Sequence, residues 1–124
     1  MKFYPTRLDS DEFFRRAVFE YGRSIGCDLR IGRKMPALLA AAGLTEVRAS
    51  LVMIDTLRVP RATFAAIWRA WRDGYTEVLA EHSDLTVDEV RAHWEDMIGC
   101  IENPAGYACW LLPVVSGRRQ QNTL

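Results

Sequence analysis

Two stretches of this sequence read as strands, and that scarcity limits what the chain can build. Residues 44–54, LTEVRASLVMI, alternate Leu44, Val47 and Ala49 before turning apolar, and residues 107–116, YACWLLPVVS, form the second apolar run. A two-stranded ribbon is not stable in water on its own. Either helices cover it or another chain supplies more strands, so a homodimer that pairs strands or exchanges helices is the expected physical solution.

The rest of the chain reads as helix. Asp9 with Glu12 three residues on is an Asp variant of the capping box. Phe14, Val18, Tyr21 and Ile25 then recur at helical spacing, giving a helix over 10–25 that stops at Gly26. A second helix spans 33–42, with Pro36 in its first turn and Gly43 closing it. Pro60 opens the longest helix, 61–82, whose broad apolar face carries Phe64, Ile67, Trp68, Trp71, Tyr75, Val78 and Leu79. Gly74 in its middle weakens the case for an unbroken helix. Thr86 and Glu89 form a full capping box for a fourth helix, amphipathic through Val90, Trp94, Met97, Ile98 and Ile101, which ends at ENPAG. The opening MKFYPTRL is extended, because Pro5 keeps Tyr4 out of helical geometry, and RRQQNTL is a polar tail. The order is α-α-β-α-α-β: an α+β fold, mostly helical, with two antiparallel strands at about 44–54 and 107–116 and four helices in a single domain.

Composition narrows the function classes. Sixteen basic and sixteen acidic residues leave no net field for nucleic acid, whose phosphates call for a clustered positive surface. No apolar run reaches the ~20 residues of a membrane span. Cys27, Cys100 and Cys109 form no CxxC pair, so reduced thiols in a cytoplasmic protein are expected. There is no GxSxG, HExxH, phosphate-binding glycine loop or metal-spaced Cys/His cluster, and thus no expected metal.

IGRKMPALLAAAGLTEVRASLV together with the closing WLLPVVSGRR resembles the C-terminal part of class I SAM-dependent methyltransferases, in the branch acting on quinones, polyketides and other small molecules. Positions 30–54 and 110–119 carry the likeness, whereas 10–25 and 61–101 match only in placement and length. The resemblance implies that 61–101 is the helical roof over a substrate and that 44–54 and 107–116 are the last two strands of the family sheet. The family's glycine-rich cofactor loop has no counterpart: the glycines stand at 22, 26, 32, 43, 74, 99, 106 and 117, no two separated by a single residue. No cofactor is therefore expected. Pro113 in the closing strand suits a strand no longer bonded on both sides, or a local bulge.

What the resemblance leaves is a roof and wall. Trp68, Trp71 and Trp94, with Arg69 and Arg72, are the candidate substrate-binding residues; His82, His93, Tyr75 and Asp96 are the candidate acids and bases. Core packing is the competing reading of the tryptophans, and a structural role that of the histidines. Two functions follow as expectations. One is a SAM-independent enzyme that holds a hydrophobic intermediate and promotes cyclisation or isomerisation. The other is a non-catalytic partner or regulatory subunit of a full-length methyltransferase.

Overall fold

The computed structural model describes residues 1–120, and they form an α+β fold of four helices and a three-stranded antiparallel sheet. Strand β1 is Lys2–Tyr4. Helix α1 is assembled from three contiguous segments: Ser10–Phe13, a π-helical turn Phe14–Val18, and Phe19–Ser24. A 3₁₀ turn, Ile31–Arg33, leads into helix α2, Met35–Ala41, and strand β2 covers Leu44–Asp55. Helices α3, Arg61–Glu81, and α4, Val87–Glu102, precede strand β3, Tyr107–Arg119.

The strand count expected from sequence is corrected from two to three. Tyr4, Phe3 and Lys2 pair antiparallel with Tyr107, Ala108 and Cys109, giving the order β1-β3-β2. Three residues are too few to display a period, so β1 shows itself only through its partner. Strand β3 also runs on through Arg119, three residues past the expected end, which takes Arg118 and Arg119 out of the polar tail. The remainder of that expected tail, from 121 on, lies outside the described residues.

Caps fix the helix starts as the sequence implies. The Asp9 carboxylate accepts from the Glu12 N–H at 3.0 Å. Thr86 Oγ1 accepts from the Glu89 N–H at 3.2 Å, while the Glu89 carboxylate accepts from the Thr86 N–H at 2.7 Å. Gly26 and Gly43 follow their helices with φ of +73° and +83°, the left-handed geometry that glycine adopts without cost.

The chain divides into two compact units. The first, residues 1–28 and 54–110, holds every buried residue of the described chain. Its core joins Phe13, Phe14 and Ala17 of α1, Phe64, Ala65, Trp68 and Leu79 of α3, Val90, Trp94, Met97, Ile98 and Ile101 of α4, and Ala108 of β3. Helices α3 and α4 run antiparallel, tied by Arg69 to Glu102 and by Arg72 to Glu95. At one end Arg61 donates to three carbonyls, those of Ile101 (2.7 Å), Pro104 (3.2 Å) and Gly106 (2.8 Å). One guanidinium thereby closes the C-terminal turn of α4 and the loop to β3. Gly106 has no room for a side chain, since a Cβ there would lie 2.1 Å from the Cys100 carbonyl oxygen.

The second unit, residues 29–53 and 111–124, contains the 3₁₀ turn, α2 and most of the length of β2 and β3. Pro113 packs on Gly32, where a Cβ would come 2.1 Å from the proline Cγ, and Gly117 lies against Leu44. Glu46 takes a left-handed φ of 51°, as at a bulge, and its carboxylate meets Arg118 at 3.3 Å. Thr45 Oγ1 donates to the Arg118 carbonyl at 3.3 Å, and the Thr56 N–H donates to the Ala108 carbonyl at 3.1 Å. Even positions of β3 therefore turn their backbone groups towards β2, and odd ones, Pro113 included, turn theirs away. On that far side β1 pairs only with Tyr107, Ala108 and Cys109. The N–H that proline lacks is thus missing from an open edge, the position where a sheet tolerates it.

Gly74 lies inside an unbroken α3, and a Cβ there would touch nothing within 4 Å. Gly74→Ala should accordingly raise stability by about 0.5–1 kcal/mol, read as a higher urea midpoint with unchanged slope.

Candidate functional site

The nine residues nominated from sequence all belong to α3, α4 and the residue that ends α3, but the structure does not gather them into one place. Trp68 is wholly buried, with the rings of Phe64, Trp71, Phe3 and Trp110 at 4.9, 4.8, 5.6 and 6.0 Å. Trp94 is 2% exposed and meets Phe13 and Phe14 edge-on at 5.1 and 6.4 Å. Both are core residues, with neighbouring rings occupying their faces; their indole N–H groups have no hydrogen-bond partner in the described structure. Trp71 is half-buried at the margin of this cluster, 5.4 Å from Trp110. Of the two arginines, Arg69 pairs with Glu102, and Arg72 with Asp73 at 2.8 Å and Glu95 at 2.6 Å. Their charge is engaged in joining the two helices.

The four candidate acids and bases fall into two pairs. Tyr75 and His82 share Tyr21 of α1 as a neighbour, with ring centroids 6.2 and 5.3 Å away. His82 Nδ1 lies 2.9 Å from the Val78 carbonyl. A carbonyl only accepts, so Nδ1 is the donor in this contact, which leaves Nε2 unengaged by it. Both side chains are exposed.

His93 and Asp96 lie on α4 against the N-terminal segment. His93 stacks on Phe13, with centroids 4.7 Å apart and planes 12° from parallel. Asp96 accepts from the backbone N–H groups of Arg7 and Leu8, both at 2.8 Å, and its side chain is only 11% exposed. This carboxylate pins the loop between β1 and α1. Burial pulls the His93 pKa below its ordinary value, against the opposing pull of nearby Asp96.

Asp55, not nominated from sequence, is the one fully buried carboxylate among the described residues. Burial alone would favour its neutral form. The N–H groups of Leu57 (3.0 Å) and Arg58 (2.9 Å), the Arg58 guanidinium and the Tyr107 hydroxyl (3.2 Å) outweigh that and hold its pKa below the usual carboxylate value. Asp55 anchors the turn after β2, and nothing in its local sequence distinguishes it from a solvated Asp. Among the described residues no group of three or more His, Cys, Asp or Glu is placed to hold a metal ion. The three thiols are free; Cys100 is buried as expected of a small apolar residue, whereas Cys27 is exposed.

Two further surfaces stand out. On the helical unit an open dish of about 480 Å³ is lined by Glu77, Ala80, Glu81, Leu85, Thr86 and Val87, none of them nominated from sequence. Neither glutamate takes part in an ion pair among the described residues, nor does Asp88 beside them. In the second unit no described residue is buried, and Leu29, Ile31, Leu38, Leu51, Val52, Met53, Leu111 and Val114 are all exposed, Leu51 to 67%. The charges divide along the same line. Residues 29–53 and 111–124 hold six basic residues and one acidic, and the rest of the chain ten basic and fifteen acidic. Overall neutrality concealed this split from composition.

A prediction follows from the His93–Phe13 stack. The unfolded chain takes up a proton near the ordinary histidine pKa of 6.5 while the folded chain resists it. Stability should be undiminished above that pH and fall as pH drops below it, by linkage. Thermal melts between about pH 7.5 and 5.5 should show that loss, and His93→Phe, which keeps a ring on Phe13, should flatten the dependence.

Compared with protein-family models, with curated proteins and with solved structures, the chain finds no match in any of the three, so the methyltransferase likeness rests on its motif residues alone.

Proposed function

We propose that this chain is a partner-dependent subunit of methyltransferase-like descent, non-catalytic by itself, whose second unit completes its packing on another polypeptide. One observation carries the reading: no described residue of 29–53 and 111–120 is buried, while eight large aliphatic side chains there face solvent. A monomeric protein rarely leaves so large an apolar surface open. Covering a Val, Leu, Ile or Met side chain contributes about 1.5–3 kcal/mol, so a partner that sheltered even a few would bind firmly. Strand β2 ends the sheet and contains no proline, so it presents the better edge for strand pairing; β3 presents Pro113.

The test is hydrogen exchange on the full chain, diluted until sedimentation reports a monomer. Amides of 44–53 and 111–119 should exchange at least about tenfold faster than those of 64–68 and 94–101, and slow when a partner binds. Equal protection of both regions in the monomer would remove the basis of the proposal.

The Tyr21–Tyr75–His82 cluster favours a second reading, a SAM-independent enzyme in which His82 Nε2 serves as base in the isomerisation or cyclisation of a hydrophobic intermediate. A flat polycyclic phenol should then quench tryptophan fluorescence, and His82→Gln should cut turnover of a reactive analogue about 10²-fold. Unchanged turnover in His82→Gln and Tyr75→Phe would dispose of this chemistry.

A further inference from the structure

The partner can be specified further, an inference that rests on the partner-dependent reading above. We infer that the partner is a second copy of this chain, joined reciprocally, with the basic apolar unit of each copy seated on the acid-rimmed dish of the other.

Charge decides between the possible occupants. Two second units laid face to face would bring together two surfaces that each carry six basic residues and one acidic. That opposes like charge, which disfavours association. The surface of opposite sign is on the same polypeptide. The helical unit has five more acidic than basic residues, matching the five-residue basic excess of the other unit, so exchange between two copies neutralises both.

The acidic excess is also localised. Most carboxylates of the helical unit are paired within it, among them Asp84 with Arg16, Glu95 with Arg72, Glu102 with Arg69, Asp96 with Arg7 and Asp55 with Arg58. Glu77 and Glu81, which line the dish, have no such ion pair, and neither does Asp88, the residue after the lining Val87. Its apolar lining is the 40%-exposed Val87 and the half-buried Ala80, over Leu85 of the core. The second unit supplies the complementary chemistry: Arg33 and Arg48, exposed and without an ion pair among the described residues, and exposed aliphatic side chains that include Ile31 and Leu51. An apolar centre with a charged rim of opposite sign is the usual anatomy of a protein interface. A nucleic acid would satisfy the arginines but would leave the aliphatic side chains uncovered and meet the acidic unit with repulsion. Each copy carries both surfaces, so two copies satisfy one another in a closed pair, the commonest arrangement of homo-oligomers; it is that pair, and not an open chain of copies, that we infer.

Two measurements test this on the full chain. In sedimentation equilibrium the wild-type dimer should weaken at least about tenfold as salt rises from about 0.05 M to about 0.5 M, because charge attraction is screened. A dimer that tightens or stays constant with salt overturns the proposal, and so does a chain that remains monomeric at about 100 µM in low salt, a concentration at which even a Kd in the micromolar range would populate the dimer. A monomer whose second unit still exchanges fast would leave the broader partner-dependent reading standing, with a different polypeptide as partner. The second measurement is a charge exchange. Glu77→Lys/Glu81→Lys and Arg33→Glu/Arg48→Glu chains should each be monomeric alone and should form a heterodimer when mixed, since one contact is then native and the other reversed on both sides. Persistence of a homodimer in Glu77→Lys/Glu81→Lys, or failure of the mixture to associate, counts against reciprocal docking. Should either variant fail to fold by circular dichroism, the wild-type salt series still decides.

Discussion

The helical unit depends on the packing of α3 against α4. Sequence places Phe64, Ala65, Trp68 and Leu79 on one face of the first and Val90, Trp94, Met97, Ile98 and Ile101 on one face of the second, and burial of those faces brings the other elements together. Helix α1 inserts Phe13 and Phe14 against Trp94, and β1 contributes Phe3 to the ring cluster around Trp68. The polar contacts sit round the margin. Arg69 and Arg72 bridge the pair along its length, and Arg61 holds the carbonyls at its end in a position no short side chain could serve. Exposed ion pairs of this kind contribute little each; their effect is to fix how the two apolar faces register.

Much of this was legible in the residues because it is local. Helix boundaries follow from Asp9, Thr86 with Glu89, Pro36, Gly26 and Gly43, each acting within a turn of itself. What escaped is non-local. Strand β1 exists only because Cys109 and its neighbours lie beside it, and the π-helical turn in α1 has no composition signal. The tryptophans show the limit most clearly: Trp68, Trp71 and Trp94 have the helical spacing of a pocket wall and of a core alike. Only the arrival of Phe3, Phe13 and Trp110 from distant segments determines which faces are covered. Asp96 likewise reads as a free acid until the chain returns Arg7 and Leu8 to it.

The charge division was present in the sequence but could not be seen there. A total of sixteen against sixteen is uninformative until the fold separates residues 29–53 and 111–124 from the rest. The same residues carry most of the methyltransferase likeness, IGRKMPALLAAAGLTEVRASLV and much of WLLPVVSGRR, and they are the ones without a core of their own. On the proposed reading, these residues find the shelter they lack on a partner.

Pro113 determines which side of its strand can pair with another. A strand with two open sides can recruit one copy after another, and that is how fibres grow. By withholding a donor from the outer side of β3 and tucking its ring against Gly32, the proline makes one side of the ribbon a poor template. Exposed apolar strand edges favour aggregation, and the proline lowers that tendency on one side of the sheet.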